Sequence, residues 1–122
     1  MTDLISEPVD KQLQVEYETN ILSMLLGGKA NKQEHILKHT CAEMFTTFAY
    51  QELYKTIENL YKNKQPINIG NLCEIAKKEH IKKLGIELNR EFITSANCDY
   101  YLEKLLNHYL KKRSEERRVG KE

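Results

Sequence analysis

The chain has little of several residue types, and each scarcity excludes a class of protein. Among its 122 residues there is no tryptophan, and only five glycines, two prolines and three cysteines occur. Its longest apolar stretch, residues 21–26, is far shorter than the roughly 20 residues that span a bilayer. The first residues lack the basic start, apolar core and cleavage site of a secretory signal. These absences predict a cytoplasmic protein without a membrane segment.

The sequence also lacks the patterns that catalysis requires. It contains no Gly-x-x-x-x-Gly-Lys-[Ser/Thr] phosphate loop and no matched nucleophile, base and acid. A formal net charge of +1 gives no strong overall field, so any contact with DNA would have to be a local patch. We therefore predict a chain that binds rather than catalyses, with no catalytic, cofactor-binding or metal-binding residue.

The cysteines are too few and too scattered for a disulfide framework. Cys41, Cys73 and Cys98 are odd in number and widely spaced, which is typical of reduced, packed thiols. His35 and His39, which are four residues apart, would share one helix face, and with Cys41 they invite a metal-site interpretation. Structural zinc sites, however, usually show paired close-spaced ligands, and no fourth ligand stands nearby in the sequence. The favoured interpretation is a helix end that carries ordinary histidines.

Apolar residues recur at helical spacing along most of the chain, and no alternating run of useful length appears. The sequence therefore predicts an all-α fold, a compact bundle of about five or six short helices with a protruding C-terminal helix. The predicted helices are one from Val15 to Gly27-Gly28, one over residues 32–39, a central one over residues 47–64, one capped by Asn68 that ends before Gly85, a short piece over residues 89–94 that buries Phe92 and Ile93, and a last one after Asn97.

The two ends of the chain lack a sustained apolar period. Residues 1–14 are polar and contain Pro8, so we expect a flexible lead-in. Residues 15–113 form the helical domain. Residues 114–122 carry charge without an apolar stripe, which predicts a disordered tail. This tail also resembles translated vector sequence, which would mean that the chain is cut short.

Three groups of residues, in this order, resemble the N-terminal domain of the DnaB-type replicative DNA helicase over about residues 15–113. The groups are an acidic pair before an apolar helix (Glu16, Glu18, Ile21, Leu22, Leu25, Leu26), a phenylalanine and apolar helix before a proline step (Phe45, Leu53, Tyr54, Ile57, Leu60, Pro66-Ile67-Asn68), and a Ser-Ala-Asn step before a helix that ends in arginine (Ser95-Ala96-Asn97, Tyr101, Arg113).

Four departures from the family pattern indicate a divergent, plasmid-borne or phage-like branch. Tyr50-Gln51 stands where the family usually has His-Arg, and Asn68 replaces the usual aspartate. Ser23 replaces a glycine, and the family's Gly-Gly step is missing around Leu84-Gly85. These positions affect the expected primase-facing surface and local turns more than the fold.

The resemblance implies a domain that does no chemistry. It would pair with neighbouring subunits in a hexameric collar and offer a surface to primase or a helicase loader. In this family ATP and Mg bind to a motor domain, which is absent from this chain. DNA would be contacted only through the full-length helicase. The expected location is the bacterial cytoplasm, at the nucleoid-associated replisome. The residues expected at the subunit interface are Leu102, Leu105, Leu106, Tyr109 and Leu110, and those expected on the partner surface are Glu16, Glu18, Tyr50 and Gln51.

One alternative function stays open, a small helix-turn-helix DNA-binding regulator that reads DNA with the helix after Asn68. Asn71, Lys77 and Lys78 would have to gather on one exposed face of that helix. Two other functional interpretations, of the tyrosines and of the lysines, are less favoured than purely structural ones. The tyrosines are expected in the core rather than as base-stacking platforms, and Lys77, Lys78, Lys82 and Lys83 are expected to form a solvated face.

Overall fold

The computed structural model describes the backbone of residues 2–92, 94 and 96–121, and the side chains of residues 12–92, 94 and 96–114. All regular structure in these residues is helical, which confirms the all-α class. The helices are α1 (Thr2–Gly27), α2 (Ala30–Lys38), α3 (Phe48–Lys62), α4 (Ile69–Ile75), α5 (Glu79–Glu91) and α6 (Cys98–Lys121), with a 3₁₀ turn at Ala42–Met44. None of these described helices combines the length and apolar content needed to cross a membrane.

The two terminal helices extend beyond the limits expected from the sequence. α1 begins at Thr2 rather than near Val15, and α6 continues to Lys121 rather than ending near residue 113. Once a packed segment has formed a helix, each further residue adds one backbone hydrogen bond, so extension needs no apolar stripe. Glu and Arg also have good helix propensity. The origin of residues 114–122 in a vector remains a prediction.

α1 occupies the central position that the sequence predicts for α3. It packs against α2, α3, α5 and α6. Every residue from Ile21 to Leu26 is buried, including Ser23. A helix that is apolar on all sides is surrounded by others, whereas the one-sided stripe of α3 suits a helix at the edge of the bundle.

The ends of α1 and α3 show two different ways of stopping a helix. α1 ends at Gly27 as predicted, but no described glycine has a positive φ. Glycine is needed there for space, because a Cβ on Gly27 would lie 2.5 Å from Cγ of Phe92. α3 ends in a left-handed turn at Lys64, which has a φ of 60°. There the amide of Gln65 donates to the carbonyl of Leu60 at 2.9 Å.

The region predicted as one helix before Gly85 is two helices. Asn68 caps α4 as predicted, its Oδ1 accepting from the Asn71 amide at 2.8 Å. The backbone becomes extended at Ala76, and α5 then runs to Glu91, into the segment expected to be a separate short helix over residues 89–94. Phe92 follows α5 in an extended conformation and is half-buried. Ile93 lies outside the described residues.

Gly85 explains how α4 and α5 pack so closely. A Cβ on Gly85 would lie 2.4 Å from Cδ2 of Leu72, which is completely buried. The glycine therefore lets the two helices approach each other, and α5 runs through it without interruption.

Candidate interaction surfaces

The stripe predicted for the subunit interface divides between the core and the solvent. Leu102 and Leu105 are buried within this chain, with exposed fractions of 8% and 0%. Leu106 and Leu110 are exposed, at 41% and 52%. Tyr109 is half-buried. The first two leucines hold α6 to the bundle, and the last two remain available to another molecule.

The position of α6 explains this division. The Tyr17 ring of α1 lies 6.1 Å from the Tyr101 ring and 5.8 Å from the His108 ring, centroid to centroid. Every residue from Leu110 to Ser114 is exposed, so α6 leaves the bundle near Tyr109. Leu106 and Leu110 are four residues apart and therefore neighbours on one helix face.

Two basic residues, Lys112 and Arg113, follow these leucines along α6. A cavity of about 560 Å³ between the 3₁₀ turn and α6 is lined by Glu43, Tyr109, Lys112 and Arg113. Arg113 donates from Nη1 to the Tyr109 hydroxyl at 3.2 Å and lies over the Tyr109 ring, 5.7 Å from its centroid. Hydrogen bonds from its own backbone amide and from the Cys41 thiol lower the pKa of Glu43. This part of α6 thus carries two exposed leucines and two cations, and Glu43 of the 3₁₀ turn lies across the cavity from the cations.

Glu18, predicted on the partner surface, is a structural residue instead. Its side chain is 0% exposed. Its Oε1 accepts from the Thr46 amide at 2.9 Å, and its Oε2 accepts from the Thr46 hydroxyl at 2.8 Å and from Nε2 of Gln14 at 2.8 Å. Glu18 therefore ties the segment before α3 to α1, and it is not accessible to a partner. Glu16 and Glu18 both lie well inside α1 rather than in its first turn.

The other three residues predicted on the partner surface differ in their accessibility. Tyr50 is half-buried and shares a hydrogen bond with the Thr19 hydroxyl at 3.1 Å. Gln51 is half-buried and donates to the carbonyl of Phe45 at 2.6 Å. Glu16 is exposed. Sequence reasoning missed Phe48, whose side chain is 70% exposed at the start of α3. The signal was present, because helical spacing places Phe48 on the face of Lys55 and Asn59 and away from the apolar stripe of α3.

Most of the tyrosines are buried or half-buried, and the lysines are mainly exposed, as the sequence predicts. Tyr54 is completely buried, and burial raises its pKa to about 12. Tyr61 and Tyr100 are the exceptions, with exposed fractions of 40% and 53%. Lys77 and Lys83 are exposed. Most of the aromatic rings therefore contribute to packing.

The helix proposed as a DNA reader is short, Lys77 and Lys78 lie beyond its end, and two of the polar groups expected to read DNA have other partners. α4 contains seven residues. The Asn71 side chain donates to the carbonyl of Pro66 at 2.8 Å, and Lys78 pairs with Glu52 at 2.8 Å. Basic and amide groups do not gather on one face of α4 in the way that reading DNA would require.

The histidines near the end of α2 connect helices. Nε2 of His35 lies 2.9 Å from Oδ1 of Asp99 in the first turn of α6. The His39 ring lies 4.6 Å from the His35 ring. Among the residues whose side chains are described, no group of three or more His, Cys, Asp or Glu residues is arranged to hold a metal ion. Cys98 is buried, and burial raises the pKa of its thiol.

The comparison with known families agrees with this architecture. The family model described as DnaB-like helicase N terminal domain matches residues 10–107, from within α1 to within α6. No curated protein and no solved structure matched the sequence. The matched segment contains α2 to α5 and the parts of α1 and α6 that carry buried core residues, and it confirms the family resemblance. The chain belongs to the DnaB-like helicase N-terminal domain family.

Proposed function

We propose that this chain is the non-catalytic interaction domain of a replicative DNA helicase, which pairs with a second copy of itself and docks primase or a helicase loader. The family match supports the helicase context. The observation that carries the pairing lies around the point where α6 leaves the bundle, where Leu106 and Leu110 are 41% and 52% exposed on one face. Exposed leucines one turn apart on a protruding helix suit a helix-to-helix contact.

The expected strength of this pairing follows from the exposed area. Full burial of a leucine contributes about 1.5–3 kcal/mol, and roughly half of each side chain is already buried. Four leucines in a symmetric pair would therefore contribute about 3–6 kcal/mol. Association costs about 4–15 kcal/mol in lost freedom of motion. The four leucines alone therefore do not supply the roughly 4 kcal/mol net that a millimolar dissociation constant requires, so pairing also needs contacts by the other exposed side chains of α6 and should be weak and concentration-dependent.

Sedimentation equilibrium of the wild-type chain and two variants tests the pairing. Replacing both leucines (L106Q and L110Q together) should give a monomer at concentrations where the wild type associates. Ile86, 39% exposed on α5, provides the matched control, and I86Q should associate like the wild type. A wild-type chain that remains monomeric at millimolar concentration, or a double variant that associates as strongly, would contradict the proposal.

Docking of primase or a loader is tested separately by pull-down with each purified protein. Glu16 is the exposed member of the acidic pair, so E16K should weaken capture if this surface contacts a basic partner. E87K, an exposed glutamate of α5, is the matched control. Equal capture by both variants would remove Glu16 from the docking surface. Salt-sensitive binding to duplex DNA without capture of either protein would favour a DNA-binding regulator instead.

A further inference from the structure

The exposed face of α6 continues on both sides of its two exposed leucines. The exposed residues along this face are Asp99, Glu103, Leu106, Leu110 and Arg113. Their steps along the chain are four, three, four and three residues, the alternation that aligns side chains along the seam between two packed helices. This seam is apolar at its centre, acidic towards the start of α6 and basic towards its end.

A parallel pair of α6 helices would bring like charges together. In a parallel pair in register, each seam residue lies opposite the same residue of the second copy. Glu103 would then face a second Glu103, and Arg113 would face a second Arg113. Like charges that face each other disfavour an interface. The charges of the seam therefore oppose this direction of pairing.

An antiparallel pair would bring opposite charges together. In this direction, residues at equal distances from the midpoint of the seam lie opposite each other. Residue 108 is midway between Leu106 and Leu110, and it is also midway between Glu103 and Arg113. When the leucines of one copy face those of the other, each Glu103 consequently faces an Arg113. The apolar and charged positions thus select the same register.

We propose that two copies of this chain pair through antiparallel α6 helices, and that Glu103 of each copy forms an ion pair with Arg113 of the other. This inference rests on the proposed pairing and adds its direction and register. Leu106 packs against the second copy's Leu110 at the centre, and one ion pair lies at each end. The ion pairs add contacts beyond those of the four leucines.

The side chains involved are free to make these contacts. Glu103 and Arg113 are both exposed. Arg113 contacts Tyr109 of its own helix through a hydrogen bond of 3.2 Å, and an exposed side chain can exchange such a contact within nanoseconds. Antiparallel packing also places the protruding end of each α6 beside the bundle-held half of the other.

Charge reversal followed by sedimentation equilibrium at low ionic strength tests the direction of pairing. E103R and R113E should each weaken association about fivefold or more, because each replaces two attractive contacts by two repulsive ones. The double variant (E103R and R113E together) exchanges the two charges and should associate like the wild type. The two single reversals change the net charge in opposite directions, so a general charge effect would not weaken both and spare the double variant.

K111E is the matched control for R113E. Lys111 is exposed but lies off the seam, and its reversal changes the net charge by the same amount, so K111E should associate like the wild type. A parallel pair would keep its like-charge contacts in every reversal variant. Association of both single variants at wild-type strength, or a double variant as weak as they are, would overturn the antiparallel arrangement but not the pairing. A wild-type chain that is monomeric at millimolar concentration would overturn both.

Discussion

Replacing Gly85 by alanine tests the close approach of α4 and α5. Alanine is favoured over glycine within a helix by about 0.8–1.0 kcal/mol. The added Cβ would lie 2.4 Å from Cδ2 of Leu72 and 3.3 Å from Cδ1 of Ile69. Carbon atoms prefer separations of about 3.5–4.0 Å, and Leu72 is completely buried. Overpacking of this kind costs about 1–3 kcal/mol, so G85A should lower the free energy of unfolding by about 1 kcal/mol.

Gly70 provides the matched control for this experiment. It also lies in a helix, α4, but the nearest atom to its added Cβ is Oδ1 of Asn68 at an ordinary 3.4 Å. G70A should therefore leave stability unchanged or raise it by up to about 1 kcal/mol. Urea unfolding followed by circular dichroism at 222 nm measures both variants. A G85A protein at least as stable as the G70A protein would refute the packing argument.

Three further variants test other details of the fold by the same unfolding measurement. E18Q places an amide where the carboxylate accepts three hydrogen bonds, so it should lower the free energy of unfolding by about 1.5–3 kcal/mol. Its control, E16Q at an exposed site, should change the free energy of unfolding by less than about 0.5 kcal/mol. Burial raises the pKa of Tyr54 to about 12, above the ordinary value of about 10, so its contribution to stability is complete below pH 10 and is lost as the pH rises towards 12. The wild type should lose up to about 3 kcal/mol over that range and Y54F clearly less, and equal losses would contradict the assignment. K64G should raise stability by about 0.5–1 kcal/mol, because the left-handed backbone at Lys64 is unfavourable for residues with a side chain. A lower urea midpoint for K64G would refute that expectation.

Local patterns predicted the features that depend on neighbouring residues. The all-α class and the cap at Asn68 each follow from residues within one or two helical turns. The end of α1 at Gly27 was also predicted, but the glycine is needed there to leave space for Phe92, which is distant in the sequence. The break between α4 and α5 could not be predicted in this way. The segment from Ala76 to Lys78 fits a helical pattern and contains no proline or glycine. That break depends on how α5 packs across α4 at Gly85, which a one-dimensional pattern does not contain.

The predicted interaction residues were less reliable for the same reason. The burial of Glu18 depends on Thr46, which lies 28 residues away in the sequence. The five apolar residues of α6 share one stripe, but only the position where α6 leaves the bundle decides that Leu102 and Leu105 are buried and Leu106 and Leu110 exposed. An apolar stripe predicts that a helix face packs against something. Only the tertiary fold determines whether that is the core of the same chain or another molecule.

The pairing of two copies through α6 is the central claim, and leucine methyl chemical shifts in a dilution series measure it most directly. As the concentration rises, the methyl signals of Leu106 and Leu110 should move together along one binding curve. The signals of Leu13, which is 39% exposed on α1, should remain unchanged. Methyl signals of Leu106 and Leu110 that stay fixed up to millimolar concentration, or shifts confined to other leucines, would contradict the claim.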